Sequence, residues 1–294
     1  MKPAHLILLV VMNFFWAGSY SAFKALAPHL DPGGVATMRF GLSAILLLAA
    51  WPWLPGKTPR GRDLALTALM GVIVFVLAPR LQVAGVQLGQ AGDAAVLMGL
   101  EPLIGSLMAA VFLHEHIGPR RWVGFILGLA GVVLMAEVWR PDFHLPGLAA
   151  NVLIFASFFA ESAYSVMGKP LIARAGLIKV LALALLAGTV VNAGVDGGHT
   201  FAAARVLPLG AWLLLLYLVL ICTVAGCVLW FVVVREAEVN VVVLTVFLQP
   251  VVGVIIAVVM LGEKLHWGQL WGSTAILVGL VIALSRQVKR VDGT

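Results

Sequence analysis

The chain has 294 residues, of which 62% are hydrophobic and only 11% are charged, and its formal net charge is +6. This composition lies far outside the range of soluble domains, so the sequence predicts an integral membrane protein that acts within or at the lipid bilayer. The basic excess is interpreted as a determinant of topology and of contact with anionic headgroups. No patch typical of nucleic-acid binding is present. No stretch between the apolar segments is long enough to form a soluble domain.

Apolar runs long enough to cross a bilayer follow one another along the chain. A spanning helix needs about 20 residues, whereas a barrel strand alternates over about 10. The runs are continuous, so the predicted fold class is all-α integral membrane, with ten transmembrane helices. They lie near 6–24, 35–53, 64–82, 91–113, 119–138, 147–167, 178–195, 209–233, 239–261 and 267–285.

The short joints between these runs differ in charge. Thirteen lysine and arginine residues fall on the side of the N-terminus and six on the opposite side. Because basic residues accumulate in cytoplasmic joints, both termini are predicted to be cytoplasmic, in a multi-pass protein of a bacterial-type inner (plasma) membrane. The two cysteines, Cys222 and Cys227, lie on different faces of one helix and indicate no disulfide.

An internal repeat relates the two halves of the chain. The stretch LEPLIGSLMAAVFLHEHI at 100–117 aligns without a gap with LQPVVGVIIAVVMLGEKL at 248–265, at an offset of 148. A weaker match relates NFFWAGSYS at 13–21 to SFFAESAYS at 157–165, at an offset of 144. The stronger alignment pairs Glu101 with Gln249, Pro102 with Pro250, and Gly105 with Gly253.

Five helices in each half make the repeats inverted, because an odd number of crossings places the start of the second half on the opposite face. The predicted repeats are 1–145 (helices one to five) and 146–294 (helices six to ten). Inverted repeats let a central site open alternately to either side, as in secondary transporters. Transport is therefore the leading hypothesis, with Glu115 on the cytoplasmic side and Glu263 on the outer side.

Glu101 lies near the middle of a predicted span. A charge that faces lipid at this depth costs at least ~3 kcal/mol, so Glu101 is expected to face the bundle interior or a wet cavity. It is either a structural hydrogen-bond partner or a contact for substrate or protons. Four residues beside it and beside its repeat are expected to form hinges, because proline and glycine permit bends: Pro102, Gly105, Pro250 and Gly253.

Polar and aromatic side chains mark the predicted substrate site. Trp16 and Tyr20 share one face of the first helix, with Asn13 one turn before them, and Glu161 lies one turn from Tyr164 in the sixth. An aromatic and polar face of this kind suits apolar or aromatic substrates, although ordinary packing would also explain it. The candidate substrate-binding residues are Asn13, Trp16, Tyr20, Glu101, Glu161, Tyr164 and Gln249.

Other polar residues favour structural explanations. Lys24 and Arg39 are expected to snorkel to the outer interface, with an outer gate or a carboxylate contact as the alternative. Asp93 opens the fourth helix and complements its dipole. The run His114, Glu115, His116 is not interpreted as a metal site, because successive helical positions point in different directions, and no metal or cofactor is expected. Close helix contacts, within the bundle or between protomers, are predicted at Gly124, Gly128, Gly131, Gly268, Gly272 and Gly279.

Several stretches resemble the EamA-type family of the drug/metabolite transporter superfamily, and within it the YddG-like amino-acid exporters. These are FFWAGSYSAFKAL at 14–26, MRFGLSAILLLAA at 38–50, and AAVLMGLEPLIGSLMAAVFLHEHIGPRRWVGFILGLAGVVLM at 94–135 with its repeat at 242–283. The resemblance covers nearly the whole chain and implies a ten-helix, inverted-repeat exporter of small metabolites. Where the family has Leu-Gly-Glu after the fourth helix, this chain has Leu113-His114-Glu115, which predicts a different helix end there.

The predicted function is a secondary transporter that exports amino acids by alternating access around a central cavity. Export of amines or drug-like metabolites is the alternative within this class. An intramembrane enzyme is disfavoured, since no phosphate loop, nucleophile elbow or His-Glu-x-x-His motif is present, and a membrane scaffold subunit would leave Glu101 without a role. Coupling to protons, substrate identity and oligomeric state are left open by the sequence.

Overall fold

The computed structural model describes residues 2–88, 100–136, 139, 148–252 and 267–285, and all regular structure in them is helical. This confirms the all-α prediction for those residues. The helices before residue 145 are α1 (Pro3–Leu26), α2 (Pro32–Ala49), α3 (Arg62–Val72), α4 (Ala78–Leu88), α5 (Glu101–Leu113) and α6 (Pro119–Ala136). Those after it are α7 (Leu148–Arg174), α8 (Leu177–Ala204), α9 (Leu209–Leu216), α10 (Gly226–Glu236), α11 (Val239–Val242) and α12 (Trp267–Leu284).

Five helical stretches in the described part of the chain are long and apolar enough to cross a membrane. A helix rises about 1.5 Å per residue, so the stretches of 18 or more residues reach at least ~27 Å. The exact number of ten crossings stays a prediction. The five stretches are Pro3–Phe23, Pro32–Ala49, Arg62–Gly85, Leu177–Ala204 and Leu209–Glu236.

Two of these stretches contain a π-helical segment. Ile73–Leu77 joins α3 to α4, and Tyr217–Ala225 joins α9 to α10. The second segment begins 144 residues after the first, which is the offset of the weaker internal repeat. A π-helix replaces the α-helical pattern of backbone hydrogen bonds, so side chains from other helices can donate hydrogen bonds to its carbonyl oxygens. Asn192 Nδ2 donates to Phe75 O at 2.8 Å, and Trp16 Nε1 donates to Cys222 O at 2.8 Å.

Helices α6 and α12 pack face to face through glycines. A Cβ atom on Gly131 would lie 2.6 Å from the carbonyl oxygen of Gly272, and one on Gly124 would lie 3.0 Å from that of Gly279. A Cβ on Gly128 would meet the ring of Phe247 at 2.6 Å. The predicted close contacts are confirmed for these glycines, and they lie within one chain.

The described part of the helix that carries Glu101 begins at that residue, after a turn at Leu100. Pro102 lies in the first turn of α5, a position that favours proline. The hinge at Pro102 stays a prediction. Residues 89–99, including Asp93, lie outside the described residues.

Pro250 follows a departure from α-helical geometry. The 3₁₀ segment Val243–Phe247 separates α11 from helical residues 248–252. A 3₁₀ stretch within a longer helix is a frequent site of bending, so the hinge prediction at Pro250 keeps a structural basis. Gly253, the other hinge predicted here, lies outside the described residues.

The end of α5 has a left-handed backbone at His114, where φ is 55°. Glycine is preferred in such a cap because it has no Cβ, although other residues adopt it at a modest energy cost. The histidine in the Leu113-His114-Glu115 triplet therefore retains a glycine-type helix end. The turn directs the chain so that Glu115 N donates to Ala109 O at 3.4 Å.

Candidate functional site

A cavity of about 110 Å³ lies between helices from both halves of the chain. We call it the central cavity. Five of the predicted substrate-binding residues line it, as does the predicted hinge Gly105. The five are Trp16, Glu101, Glu161, Tyr164 and Gln249.

Two carboxylates face the central cavity. Glu101 enters from the first turn of α5, where a negative charge is favourable at the helix N-terminus, and Glu161 enters from α7. Glu161 Oε2 accepts a hydrogen bond of 3.1 Å from Gln82 Nε2 of α4. Both carboxylates line the same cavity, so a cation that binds there would reduce the repulsion between two negative charges.

Arg39 supplies positive charge to the same cavity. Its Nε donates to Thr223 Oγ1 at 2.7 Å, and its guanidinium carbon lies 5.6 Å from the ring centre of Phe23 and 5.0 Å from that of Phe40. Snorkelling to the interface, the explanation favoured by the sequence, does not describe this side chain, because it lines the cavity. Its two terminal nitrogens form no hydrogen bond with the residues that the structure describes.

Trp16 and Trp230 form one aromatic wall. Their ring centres lie 5.5 Å apart at an angle of 36°. Each indole N–H is satisfied, since Trp16 Nε1 donates to Cys222 O and Trp230 Nε1 donates to Ser165 Oγ, both at 2.8 Å. The rings can therefore offer an apolar face to a ligand without burying an unpaired donor.

Tyr164 fixes the neighbouring wall. Its ring stacks on Phe231 at 4.0 Å and meets the edge of Phe75 at 6.1 Å. The hydroxyl donates to Cys227 O at 2.8 Å, so the ring is held from both ends. Tyr164 is buried, and it contributes shape to the cavity more than a free polar group.

Asn13 lies behind the wall. It is completely buried, and its amide donates to Leu9 O at 2.8 Å and to Thr245 Oγ1 at 3.1 Å. Its Oδ1 accepts from Gln249 Nε2 at 3.0 Å. Asn13 is not among the residues that line the cavity, and it positions Gln249, which is one of them. A substrate contact of Asn13 stays a prediction. The side chain of Tyr20 lies outside the described part of the structure.

The sequence does not identify several residues of the site. Gln82 is the last residue of the predicted run 64–82, so the sequence places it at the end of a span, whereas α4 continues to Leu88. Trp230 and Phe75 resemble ordinary core aromatics in the sequence, and their role depends on the packing between helices. Thr223 acts through the π-helical segment, which no simple periodicity predicts.

Glu115 connects three segments at one end of the helices that line the cavity. Its Oε1 lies 2.7 Å from Lys169 Nζ of α7 and accepts from Val239 N at 2.9 Å, while Oε2 accepts from Asn240 N at 3.0 Å. The carboxylate thus caps α11 and neutralises a lysine at once. Arg121 adds a hydrogen bond of 2.6 Å from Nη1 to Asn240 Oδ1 and an ion pair with Glu238. We call these six residues the Glu115 cluster.

Arg80 forms a second polar connection, between α4 and α8. Its Nε and Nη2 donate to Asn192 Oδ1 at 3.1 and 2.8 Å, and Nη2 pairs with Asp196. Asn192 in turn holds the π-helical carbonyl of Phe75, whose ring lines the cavity. This cluster therefore supports the cavity wall from behind.

Comparison with known proteins identifies one family. The model of the "EamA-like transporter family" matches residues 4–136 and again 148–285. A protein of Streptantibioticus cattleyicolor named a probable terminal-alkyne amino-acid exporter is 30% identical over 96% of this chain and 94% of its own length. A probable amino-acid metabolite efflux pump of Salmonella typhimurium is 25% identical over 99% of both chains.

Two further comparisons extend over the whole length. An uncharacterized transporter of Archaeoglobus fulgidus is 27% identical over 97% of this chain and 99% of its own. A solved crystal structure superposes with a TM-score of 0.74 at 17% identity and covers all of both chains. The last similarity concerns the fold alone.

Proposed function

Because the chain belongs to the EamA-like transporter family, we propose that it exports amino acids, apolar and aromatic ones included, by alternating access around the central cavity. The observation that carries the proposal is the combination of Arg39, Glu161 and aromatic walls in one cavity. A free amino acid presents a carboxylate, an ammonium group and a side chain, and each has a chemically suitable partner here. Two relatives named for amino-acid export support the same substrate class.

Alternating access is supported by the double match of one family model. The matches cover 4–136 and 148–285, and this duplication supports the proposal of two repeats at 1–145 and 146–294. We propose that these repeats are inverted, that the chain crosses the membrane ten times, and that both termini are cytoplasmic. The Glu115 cluster would then lie at the cytoplasmic end, and opening to that side would require its contacts to separate.

Export of amines or drug-like metabolites is the second candidate. It is favoured by the two carboxylates, Glu101 and Glu161, which outnumber the single arginine among the described lining residues. An organic cation would also contact the Trp16–Trp230 wall favourably. Such a substrate would leave Arg39 without a role in recognition. The enzyme alternative loses its basis, since both the family and the relatives point to transport.

The experiment that tests this function uses purified protein in liposomes preloaded with radiolabelled amino acids. Wild type is compared with Glu161→Gln and with Glu236→Gln, a control that removes an exposed carboxylate paired with Lys2. We expect wild type and the control to show more efflux than preloaded liposomes without protein. Glu161→Gln should show a strong reduction in efflux. Efflux of amines but of no amino acid would favour the second candidate, and an imposed pH gradient would decide whether protons are coupled.

A further inference from the structure

Arg39 is the single arginine among the described residues that line the central cavity. It lines a cavity within the bundle, yet it forms no ion pair with any residue that the structure describes. An arginine inside a membrane protein without a carboxylate partner is costly, and such residues are usually retained for function. Neither carboxylate of the cavity forms a direct ion pair with it, although all three side chains line the same space.

The guanidinium group is held in a defined orientation. Thr223 Oγ1 accepts from Arg39 Nε at 2.7 Å and itself donates to Leu218 O at 2.8 Å, so the hydroxyl has little freedom to rotate. Phe23 and Phe40 approach the same guanidinium. Because Nε is occupied, the two terminal nitrogens form the remaining edge, and this edge matches the two oxygens of a carboxylate.

The opposite charge is supplied by another helix. Glu161 on α7 and Arg39 on α2 line one cavity, with Gln82 donating to the carboxylate at 3.1 Å. Gln82 consumes one lone pair of one oxygen, and the rest of the carboxylate can accept from an ammonium group. The cavity therefore has an anion-binding side and a cation-binding side on different helices.

We propose that Arg39 binds the carboxylate of the substrate through its terminal nitrogens and Glu161 binds its ammonium group, so that the cavity selects zwitterions over amines and over carboxylic acids. The inference rests on the proposed transport and narrows its substrate class. Arg39 is a specificity-determining residue in this scheme. Thr223 is a positioning residue, since it acts on the substrate only through Arg39.

The test measures binding to detergent-purified protein by isothermal titration calorimetry with three probes. L-phenylalanine carries both charges, phenethylamine lacks the carboxylate, and 3-phenylpropionate lacks the ammonium group. Wild type should bind phenylalanine most tightly. Arg39→Gln should weaken phenylalanine and 3-phenylpropionate by about 10- to 100-fold and leave phenethylamine within about twofold. Glu161→Gln should weaken phenylalanine and phenethylamine and spare 3-phenylpropionate.

Two milder variants separate recognition from loss of fold. Arg39→Lys keeps the charge without the planar edge, so it should restore part of the affinity for phenylalanine. Thr223→Val should weaken only the two probes that carry a carboxylate. Thr274→Val is the matched control, because Thr274 makes a similar bond of 2.8 Å to Leu270 O on an exposed face and should change nothing.

Equal effects of Arg39→Gln on all three probes, or no effect on any, would overturn the inference, as would a wild type that binds phenethylamine more tightly than phenylalanine. Failure of the two proposals can be distinguished. Phenylalanine efflux from liposomes that is unchanged in Arg39→Gln contradicts carboxylate recognition and leaves transport standing. Binding that depends on Arg39 in a protein that moves no amino acid contradicts transport and leaves the site standing.

Discussion

Gln82 Nε2 donates a hydrogen bond of 3.1 Å to Glu161 Oε2, and this contact joins α4 to α7 at the wall of the central cavity. The donor is neutral, so it orients the carboxylate without cancelling its charge. A lysine at the same place would have formed an ion pair and removed the site for an ammonium group. The contact thus keeps the carboxyl group oriented and leaves its remaining lone pairs available inside an apolar bundle.

Replacement of Gln82 by Ala is expected to weaken amino-acid binding through Glu161. The carboxylate would lose the hydrogen bond that orients it, and a hydrogen bond to a charged group contributes about 1.5–3 kcal/mol. Calorimetry on Gln82→Ala, Glu161→Gln and the double variant measures the coupling. We expect a double variant that binds little worse than Glu161→Gln alone. Fully additive losses would show that Gln82 does not act through Glu161.

Packing at the glycine contact of α6 with α12 gives a stability prediction. Gly131→Ala places a Cβ 2.6 Å from the carbonyl oxygen of Gly272, and a backbone atom cannot move aside as a side chain can. We expect a loss of about 1–3 kcal/mol in the free energy of unfolding, visible as a lower Tm in detergent. The matched control is Gly194→Ala, which also lies inside a helix but has nothing within 4 Å of the added atom.

Gly194→Ala should leave Tm unchanged or raise it slightly, because alanine favours a helix over glycine by about 1 kcal/mol. A Tm for Gly131→Ala that equals that of the control would mean that α6 and α12 separate easily. Such a result would contradict the close packing described above.

The sequence predicts the helical class and most helix positions, but it places the ends of several helices too early, two of them with a consequence for ion pairs. The apolar runs near 147–167 and 178–195 stop at charges, whereas α7 continues to Arg174 and α8 to Ala204. The added turns carry Lys169 and Asp196, which pair with Glu115 and Arg80. Charges that look like solvated joints can thus belong to the helix when another helix supplies the partner.

The composition of the site is only partly visible in the sequence. Glu101 and Glu161 are conspicuous, because a carboxylate interrupts an apolar run. Arg39 is assigned to the interface by its position near the start of a span, and its direction into the cavity depends on Thr223, 184 residues away. Asn13 shows the converse, since its spacing on the helix matches that of Trp16 while its side chain bonds to Thr245 and Gln249.

The aromatic wall predicts a selective effect on substrate side chains. Trp16→Ala removes the ring that lies 5.5 Å from Trp230, so phenylalanine should lose a contact that alanine as substrate never makes. We expect KM for phenylalanine efflux to rise about 3- to 10-fold, because an aromatic pair contributes about 0.5–1.5 kcal/mol. KM for alanine efflux should change little. Trp53→Ala is the control, because Trp53 is 81% exposed. Equal effects on both substrates would assign Trp16 to the scaffold.

The Glu115 cluster predicts how the cavity opens. Glu115→Gln removes the charge that pairs with Lys169 and weakens the cap on Val239 and Asn240, so the conformation described here should be less favoured. The native thiols Cys222 and Cys227 line the cavity and report on access without an introduced cysteine. A water-soluble maleimide should label them faster in Glu115→Gln, by about tenfold for each ~1.4 kcal/mol by which the equilibrium shifts.

Asp63→Asn provides the matched control for that experiment. It also removes one carboxylate paired with a basic residue near the end of α7, since Asp63 pairs with Arg174 at 2.8 Å, but it caps no helix beside the cavity. Labelling in Asp63→Asn should equal that in wild type, because an exposed ion pair contributes little. Labelling that rises equally in both variants would indicate general loosening of the bundle. Labelling that rises in neither would mean that the thiols are reached without separation of α5 from α11.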